Sequence, residues 1–157
     1  MSDNYRYRYG ETNPVRQTFD TTVAIAIGDL IYVASNKIYP ASHYTWNTNL
    51  ATTQQGISAV FLGVAAQRYD GSNVNGYGIK DGQIRVDTQG IFEFACASAS
   101  FNVGDLVGID TDGSSHLLSQ QVVAVGAMNE AIGRVVEDVT SGTSVKIYIF
   151  SPLMRPF

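Results

Sequence analysis

The sequence predicts an all-β fold: a compact β-barrel or β-tulip-like domain built from two related halves, with an extended N-terminal arm. Three observations carry this reading. A three-part pattern occurs twice, Gly28-Asp29-Leu30-Ile31-Tyr32-Val33 returning as Gly104-Asp105-Leu106-Val107-Gly108-Ile109 and Phe61-Leu62-Gly63-Val64-Ala65 as Ala131-Ile132-Gly133-Arg134-Val135. Lys80-Asp81-Gly82-Gln83-Ile84-Arg85-Val86 has a looser echo in Thr140-Ser141-Gly142-Thr143-Ser144-Val145-Lys146-Ile147. The copies keep their order, at offsets of 76, 70 and about 61 residues, as a duplicated unit would. Secondly, apolar residues fall in short runs bounded by Gly, Asn, Asp, Ser and Pro, the signature of strands and turns. Thirdly, helical signals are scarce; Ala127 to Ala131 has room for one turn.

Residues 1–20 read as an arm. Tyr5-Arg6-Tyr7-Arg8-Tyr9 alternates with period two, which in an extended chain sets three tyrosines on one face and two arginines on the other. Asn13-Pro14 keeps the following backbone extended or turned. Such an arm can add a strand to a partner's sheet, and its removal is expected to leave a folded body; the alternative is a frayed terminus. From residue 22 the pattern becomes β. Val23 to Ile27 and Leu30 to Ala34 are apolar runs around the Gly28-Asp29 turn. There glycine supplies positive φ, and the carboxylate caps nearby backbone N–H groups. Ser35-Asn36-Lys37 is a second turn, Ile38-Tyr39 a short strand, and Pro40 its stop. Residues 41–58 are polar and predict a long loop with at most a short helical turn. Val60 to Ala66 reads as a buried strand, residues 70–82 as an excursion, and Gln83 to Thr88 with Ile91 to Cys96 as a hairpin around Gln89-Gly90. Leu106 to Asp110, Leu117-Leu118, Val122 to Val125, Ile132 to Glu137 and Val145 to Phe150 complete the strands. The halves span about 22–88 and 98–150. The tail, 151–157, holds two prolines and cannot continue a central strand; its Leu153, Met154 and Phe157 call for cover from the chain's own core or from a neighbouring subunit.

Composition narrows the function. With 157 residues, of which 42 are Ile, Leu, Val or Phe, the chain can bury a core, roughly 68–70% of its unfolded surface. Only 15% of residues are charged, against about 25% in ordinary soluble domains. A polar but weakly charged surface can be covered by neighbours without desolvating many ions, which suits an assembly component as well as a neutral monomer. A net charge of −4 with three lysines argues against nucleic acid, whose recognition rests on clustered cations. No run of about 18 apolar residues predicts a membrane span, and the N-terminus lacks the order of a secretory signal. The single cysteine, Cys96, implies no internal disulfide, so synthesis in a cytoplasm is expected.

No catalytic set emerges. Nucleophilic catalysis needs a nucleophile with a base in reach, and Cys96 lies in a predicted strand beside Phe94 and Ala97, as a buried structural thiol would. His43 and His116 belong to different halves, with no Glu, Asp or Cys at ligand spacing. Asp110-Thr111-Asp112-Gly113 begins like a calcium loop but lacks the third acidic ligand and terminal glutamate, so it reads as a tight turn. Glu130, Glu137 and Asp138 form no selected pair. Asp29 and Asp105 likewise have no base or ligand beside them, and no metal or other cofactor is expected.

The order Gly28-Asp29-Leu30, Phe61-Leu62-Gly63-Val64-Ala65 and Ile84-Arg85-Val86-Asp87-Thr88-Gln89-Gly90-Ile91-Phe92-Glu93-Phe94 resembles the small capsid cement proteins of tailed bacteriophages, the group of the lambda head decoration protein. Val103-Gly104-Asp105-Leu106-Val107-Gly108, Ala131-Ile132-Gly133-Arg134-Val135-Val136 and Val145-Lys146-Ile147-Tyr148-Ile149 continue the likeness, over residues 22–150. The resemblance implies a virion protein, made in the host cytoplasm, that binds the outer capsid surface as a homotrimer and clamps adjacent major capsid subunits. It also implies that Tyr5, Arg6, Tyr7, Arg8 and Tyr9 contact the shell, while Gly28, Asp29, Gly63, Gly104, Asp105 and Gly133 define the turns of the fold. The 41–58 excursion and the Pro-rich tail depart from that pattern. Two rival readings remain beside it. One is a head-fibre or tail module stacking host glycans on Tyr44, Trp46, Tyr69 and Tyr77; the other is a hydrolase using Cys96 with His43 or His116.

Overall fold

The computed structural model describes residues 3–4, 6–71, 79 and 82–155. After a short strand β1 (Tyr7–Tyr9), the first half runs β2 (Val15–Thr18), β3 (Leu30–Ala34), β4 (Lys37–Pro40), helix α1 (Leu50–Ala59), β5 (Phe61–Ala65) and β6 (Gln83–Asp87). The second runs β7 (Gln89–Phe101), β8 (Leu106–Thr111), β9 (Leu117–Ala124), a 3-10 turn at Met128–Glu130, β10 (Gly133–Val135) and β11 (Val139–Phe150). The fold is all-β, with α1 the one α-helix among the described residues.

The two sheets have one topology. The first is ordered β2-β6-β5-β3-β4, the second β7-β11-β10-β8-β9, each strand replaced by the one five places later in the chain. A parallel pairing of β7 with β9 (Ala95 with Gln121, Cys96 with Val122) closes the second sheet into a barrel. In the first sheet one parallel bridge, Phe19 to Ile38, joins the two edges at the matching place. The sequence repeat is therefore a repeat of structure.

The equivalence reaches individual hydrogen bonds. Gly28 and Gly104 take φ of +95° and +92°, a region costly for residues carrying a Cβ. The Ala26 N–H donates to the Asp29 carboxylate at 2.9 Å, and the Asn102 N–H to the Asp105 carboxylate at 2.8 Å. The Gly28 N–H reaches the Ala65 carbonyl at 2.9 Å; that of Gly104 reaches Val135 at 2.8 Å. Each Gly-Asp pair thus turns the chain into a strand and ties that turn to β5 or β10. Gly63 and Gly133 correspond in the same way. A Cβ at Gly63 would overlap the Asp87 carbonyl oxygen, and one at Gly133 the Tyr148 carbonyl oxygen, so both strands need glycine where a neighbouring backbone comes close.

Two apolar clusters form. Phe19, Ile25, Ile31, Ile38, Leu62, Ile84 and Val86 fill the first barrel. Phe92, Phe94, Val107, Ile109, Val122, Val145, Ile147 and Ile149 fill the second, and the cluster continues into Leu30, Tyr32, Phe61 and Val64 on the other face of β3 and β5. These two strands are covered on both faces, which is why Phe61 to Ala65 is one unbroken buried run rather than an alternation. Ser35 and Asn36, both at positive φ, make the two-residue β3–β4 hairpin.

Several expectations are corrected. Residues 41–58 are not mainly loop, because Leu50–Ala59 is helical: the Asn49 side chain caps it by accepting from the Thr52 N–H at 2.8 Å. Its buried face is Thr53, Gln54, Ile57 and Ser58, so almost no apolar period advertises it. Gln54 Nε2 donates to the Ile109 carbonyl at 2.7 Å and Ser58 Oγ to that of Asn129, joining the halves with side-chain hydrogen bonds. Gln83 to Thr88 and Ile91 to Cys96 do not pair. β6 and β7 lie in different sheets, and at Thr88 the chain crosses between them, its N–H donating to the Thr12 carbonyl at 2.9 Å. Val23 to Ile27 is no strand beyond a single bridge from Ile25 to Tyr69, and residues 117–124 are one strand rather than two.

The N-terminal segment is extended as expected, but its sheet partners lie in its own chain. β1 pairs with β7, and β2 with β6 as a full member of the first sheet. The halves accordingly run 15–87 and 89–150, each starting earlier than the repeat marked. Deleting residues 1–20 would remove β2 and buried Phe19 and would not spare the body. Tyr7 and Tyr9 do not share a face either. A register shift between Tyr7 and Tyr9 sets Tyr7 edge-on to Phe92, at 5.8 Å between ring centres, and Tyr9 opposite Ile91.

Candidate interaction surface

Strand alternation gives the second barrel a definite outside. In β7 and β11, Phe92, Phe94, Val145, Ile147 and Ile149 point inward, so Ile91, Tyr148 and Phe150 point outward. The ladder registers then line up one row across five strands: Tyr9, Ile91, Tyr148, Arg134 and Leu106. Tyr9 is 52% exposed, Tyr148 39% and Met128 69%; the tail forms a 3-10 turn packed beside β5 and α1, with Leu153 and Met154 each 43% exposed. Tyr148 and Phe150 stack obliquely at 6.4 Å. Two shallow hollows of about 270 and 440 Å³ share Met128, Ala131, Ile132, Phe150 and Arg155. The result is a face of Tyr, Met, Leu and Phe with Arg134 set within it and Arg155 beside the hollows, the composition enriched where proteins meet.

The first half contrasts at the corresponding place. Val64 pairs with Asp87 as Arg134 pairs with Tyr148, so Asp87 holds the position of Tyr148. Arg85 forms an ion pair with Asp87 at 3.1 Å, and the Arg85 N–H donates to Gln67 Oε1 at 2.7 Å. Burial pushes the Asp87 carboxyl up, against Arg85, which pulls it down. In the first copy this row is therefore buried rather than outward, Asp87 being 1% exposed and its ladder neighbours Val64 and Leu30 lying in the core cluster shared with the second barrel.

Of the arm residues, Tyr5 lies outside the described residues. Arg6 donates to Gln120 Oε1 at 3.3 Å, and its guanidinium lies 5.9 Å from the centre of the Phe94 ring. The Tyr7 hydroxyl donates to the Gly10 carbonyl at 2.8 Å. Arg8 pairs with Glu93 at 2.9 Å, and Glu93 also accepts from Ser144 at 2.8 Å; the Ser144 and Arg8 bonds together hold its carboxyl below the usual range. Only Arg8 and Tyr9 project strongly. Ahead of them, Asn4 and Asp3 clasp the first Gly-Asp turn. The Asn4 N–H donates to the Ile27 carbonyl at 2.7 Å, the Ile27 N–H donates to Asp3 at 2.9 Å, and Asp3 pairs with Arg68 at 2.7 Å. Gln120 of β9 gathers these groups, donating to the Asp29 carboxylate at 2.9 Å while accepting from Asn4 at 2.8 Å. Burial raises the Asp29 carboxyl, and the bonds from Ala26 and Gln120 counter it. Of the residues expected to define turns, Gly28, Asp29, Gly104 and Asp105 do so, whereas Gly63 and Gly133 lie within β5 and β10, where a neighbouring backbone comes close.

The remaining chemical candidates stand apart. Cys96 is buried in the second barrel, its thiol 3.6 Å from the Gly142 carbonyl and pushed up by burial. His43 stacks on Tyr39 at 4.8 Å, and His116 sits in the β8–β9 turn, 3.4 Å from Asp112. In that turn Asp112 accepts from the Ser114 N–H at 2.7 Å, which is turn chemistry. Among the described residues no group of three His, Cys, Asp or Glu side chains is placed to hold a metal. Glu137 pairs with Lys146, and Asp138 caps the Val103 N–H.

No protein-family model matches the sequence, and no curated protein does. Among solved structures the chain is similar to the N base of head fiber gp8.5 in bacteriophage phi29, with 17% identity over 87% of this chain and 93% of that one and a TM-score of 0.45.

Sequence reasoning missed Tyr148, Met128 and Phe150 as surface residues. Tyr148 and Phe150 sit in an apolar run whose inward and outward members look alike. The signal that pointed here was the tail, too apolar to stand free. Of the aromatics expected on loops, Tyr69 is 1% exposed and packs on Phe19, whereas Tyr44 and Trp46 do line a groove. Tyr77 lies outside the described residues.

Proposed function

We propose that this chain is a non-enzymatic structural component of a tailed-phage virion, a cement protein that binds the outside of the head and clamps adjacent major capsid subunits. The apolar outer face of the second barrel carries the reading. Tyr9, Tyr148, Phe150 and Met128 form an interface-like surface that a free monomer would leave in water, on a weakly charged chain. The ordered likeness of the Gly-Asp-Leu, Phe-Leu-Gly-Val-Ala and Val-Asp-Thr-Gln-Gly motifs to cement proteins supports the same reading. Self-association into a homotrimer and attachment to the shell both use this face, with Arg8 and Tyr9 as the arm's contribution. Attachment stabilises the expanded shell by mass action, and three linked contacts make weak ones avid.

Sedimentation of the purified protein, alone and mixed with expanded heads, tests this. The expected result is a trimer that co-sediments with heads. Tyr148→Arg combined with Met128→Asp should abolish both while changing thermal stability little, as substitutions at exposed sites do. A monomer that ignores heads, or a double variant that binds normally, would overturn the proposal.

A further inference from the structure

The first half carries a second surface that the shell-binding face does not use. Tyr32, Ala34, Tyr44, Thr45, Trp46 and Asn47 line an open groove of about 550 Å³ where β3 ends and the chain approaches α1. Its walls are aromatic and set at right angles: the rings of Tyr32 and Tyr44 meet at 83°, 5.0 Å apart. Tyr32 is only 5% exposed, and among the described residues its hydroxyl is not left buried without a partner. As a residue lining the groove, Tyr32 brings a phenol that can donate or accept a hydrogen bond beside an aromatic face. Burial pushes the Tyr32 phenol up to about 12, with Tyr39 and Tyr44 adding to the effect, so it remains a neutral O–H at any physiological pH.

We propose that this groove binds a neutral saccharide unit. The lining contains no charged side chain, which disfavours phosphate, carboxylate or basic-peptide ligands. It offers what a sugar needs: aromatic faces for the C–H face of a pyranose, and hydroxyl and amide groups for its rim, from Tyr32, Thr45 and Asn47. The frame is fixed. Tyr39 stacks on Tyr32 at 5.6 Å from behind, and Tyr44 rests against Gly56 of α1, where a Cβ would collide with its hydroxyl. The site therefore needs no ordering on binding. It stands independently of the shell-binding proposal and would suit a surface protein that meets cell-wall glycans.

Trp46 is the single tryptophan, so its fluorescence reports on this groove alone. The full-length protein is screened on a glycan array and then titrated with the hexamer of N-acetylglucosamine, with maltohexaose and with a proline-rich peptide. The expected result is array signal for neutral glycans and a saturable change at Trp46 with at least one of the two oligosaccharides. Tyr32→Phe, which keeps the ring and its packing, should weaken binding about fivefold, and Tyr44→Ala about tenfold. Head binding by both variants should remain normal, which separates this site from the shell-binding face. Flat fluorescence and an empty array, binding that survives both substitutions, or binding of the peptide in place of sugar would each overturn the proposal.

Discussion

The two Gly-Asp turns make an internal control for what the N-terminal segment contributes. Gly28 and Gly104 share φ within a few degrees and the same hydrogen-bonded turn. They differ in one respect. A Cβ at Gly28 would overlap the Asn4 carbonyl oxygen, whereas at Gly104 nothing lies within 4 Å. Alanine at either position meets the same conformational penalty, about 1–2 kcal/mol for a Cβ at positive φ. Alanine at 28 must also displace residues 3–6. That displacement breaks the Asn4 to Ile27, Ile27 to Asp3 and Asn4 to Gln120 bonds. At about 0.5–1.5 kcal/mol each these sum to some 2–4 kcal/mol, and the regained freedom of the released segment returns part of that. Gly28→Ala should therefore cost about 1–2 kcal/mol more than Gly104→Ala. Urea unfolding at constant m reads this as a shift in midpoint, and thermal unfolding as about 3–6 °C between the two variants. In a truncation lacking residues 1–6 the two substitutions should cost the same. Equal costs in the full chain, or a difference that survives truncation, would refute the clasp.

The buried carboxylate of the first half gives a pH test. Asp87 has its carboxyl raised by burial, so the native state favours its protonated form. The stability tied to it is full below the ordinary value of 3.8 and lost as pH rises through the raised native value. Asp87→Asn should therefore be at least as stable as the parent at pH 7, with the gap closing in acid; a gap that widens towards low pH would contradict this. Cys96, buried and raised in the same way, should resist alkylation in the native protein and react at once in denaturant, and rapid native labelling would count against a structural thiol.

What could be read from the chain alone divides by how locally it is encoded. The Gly28-Asp29 and Gly104-Asp105 turns were legible because positive φ and a carboxylate accepting a nearby N–H are properties of adjacent residues, and two copies guard against coincidence. The Ser35-Asn36 hairpin and the buried run at β5 were legible for similar reasons. The Thr88 crossing was not, because Gln83 to Thr88 and Ile91 to Cys96 have the pattern of a hairpin and only distant partners, Thr12 and Val64, decide otherwise. Helix α1 was hidden by its polar buried face, whose Gln54 and Ser58 are satisfied by carbonyls far along the chain. The interaction face was hidden too. Tyr148 sits in the bulky run Ile147-Tyr148-Ile149-Phe150, and which of its members reach solvent is set by register with β7 and β10, a long-range choice.

The duplication also explains how a small chain acquires a surface at low structural risk. Once two copies of one five-stranded unit exist, β3 and β5 of the first are covered on both faces by packing against the second, so stability is shared between them. The equivalent row is thus buried in the first copy and left outside in the second, where its side chains are free to diverge. Position 87 keeps a carboxylate answered by Arg85, and its counterpart 148 becomes tyrosine in an apolar row. The same freedom operates between the third and fourth strands of each unit, where one copy has α1 beside the Tyr32 groove and the other only the turn carrying Met128. Each proposed surface thus lies where the copies differ, while the glycines and aspartates they share sit in the Gly-Asp turns and at the close strand approaches of Gly63 and Gly133. A substitution that alters binding without altering stability should be found among the differences, and one that does the reverse among the shared residues.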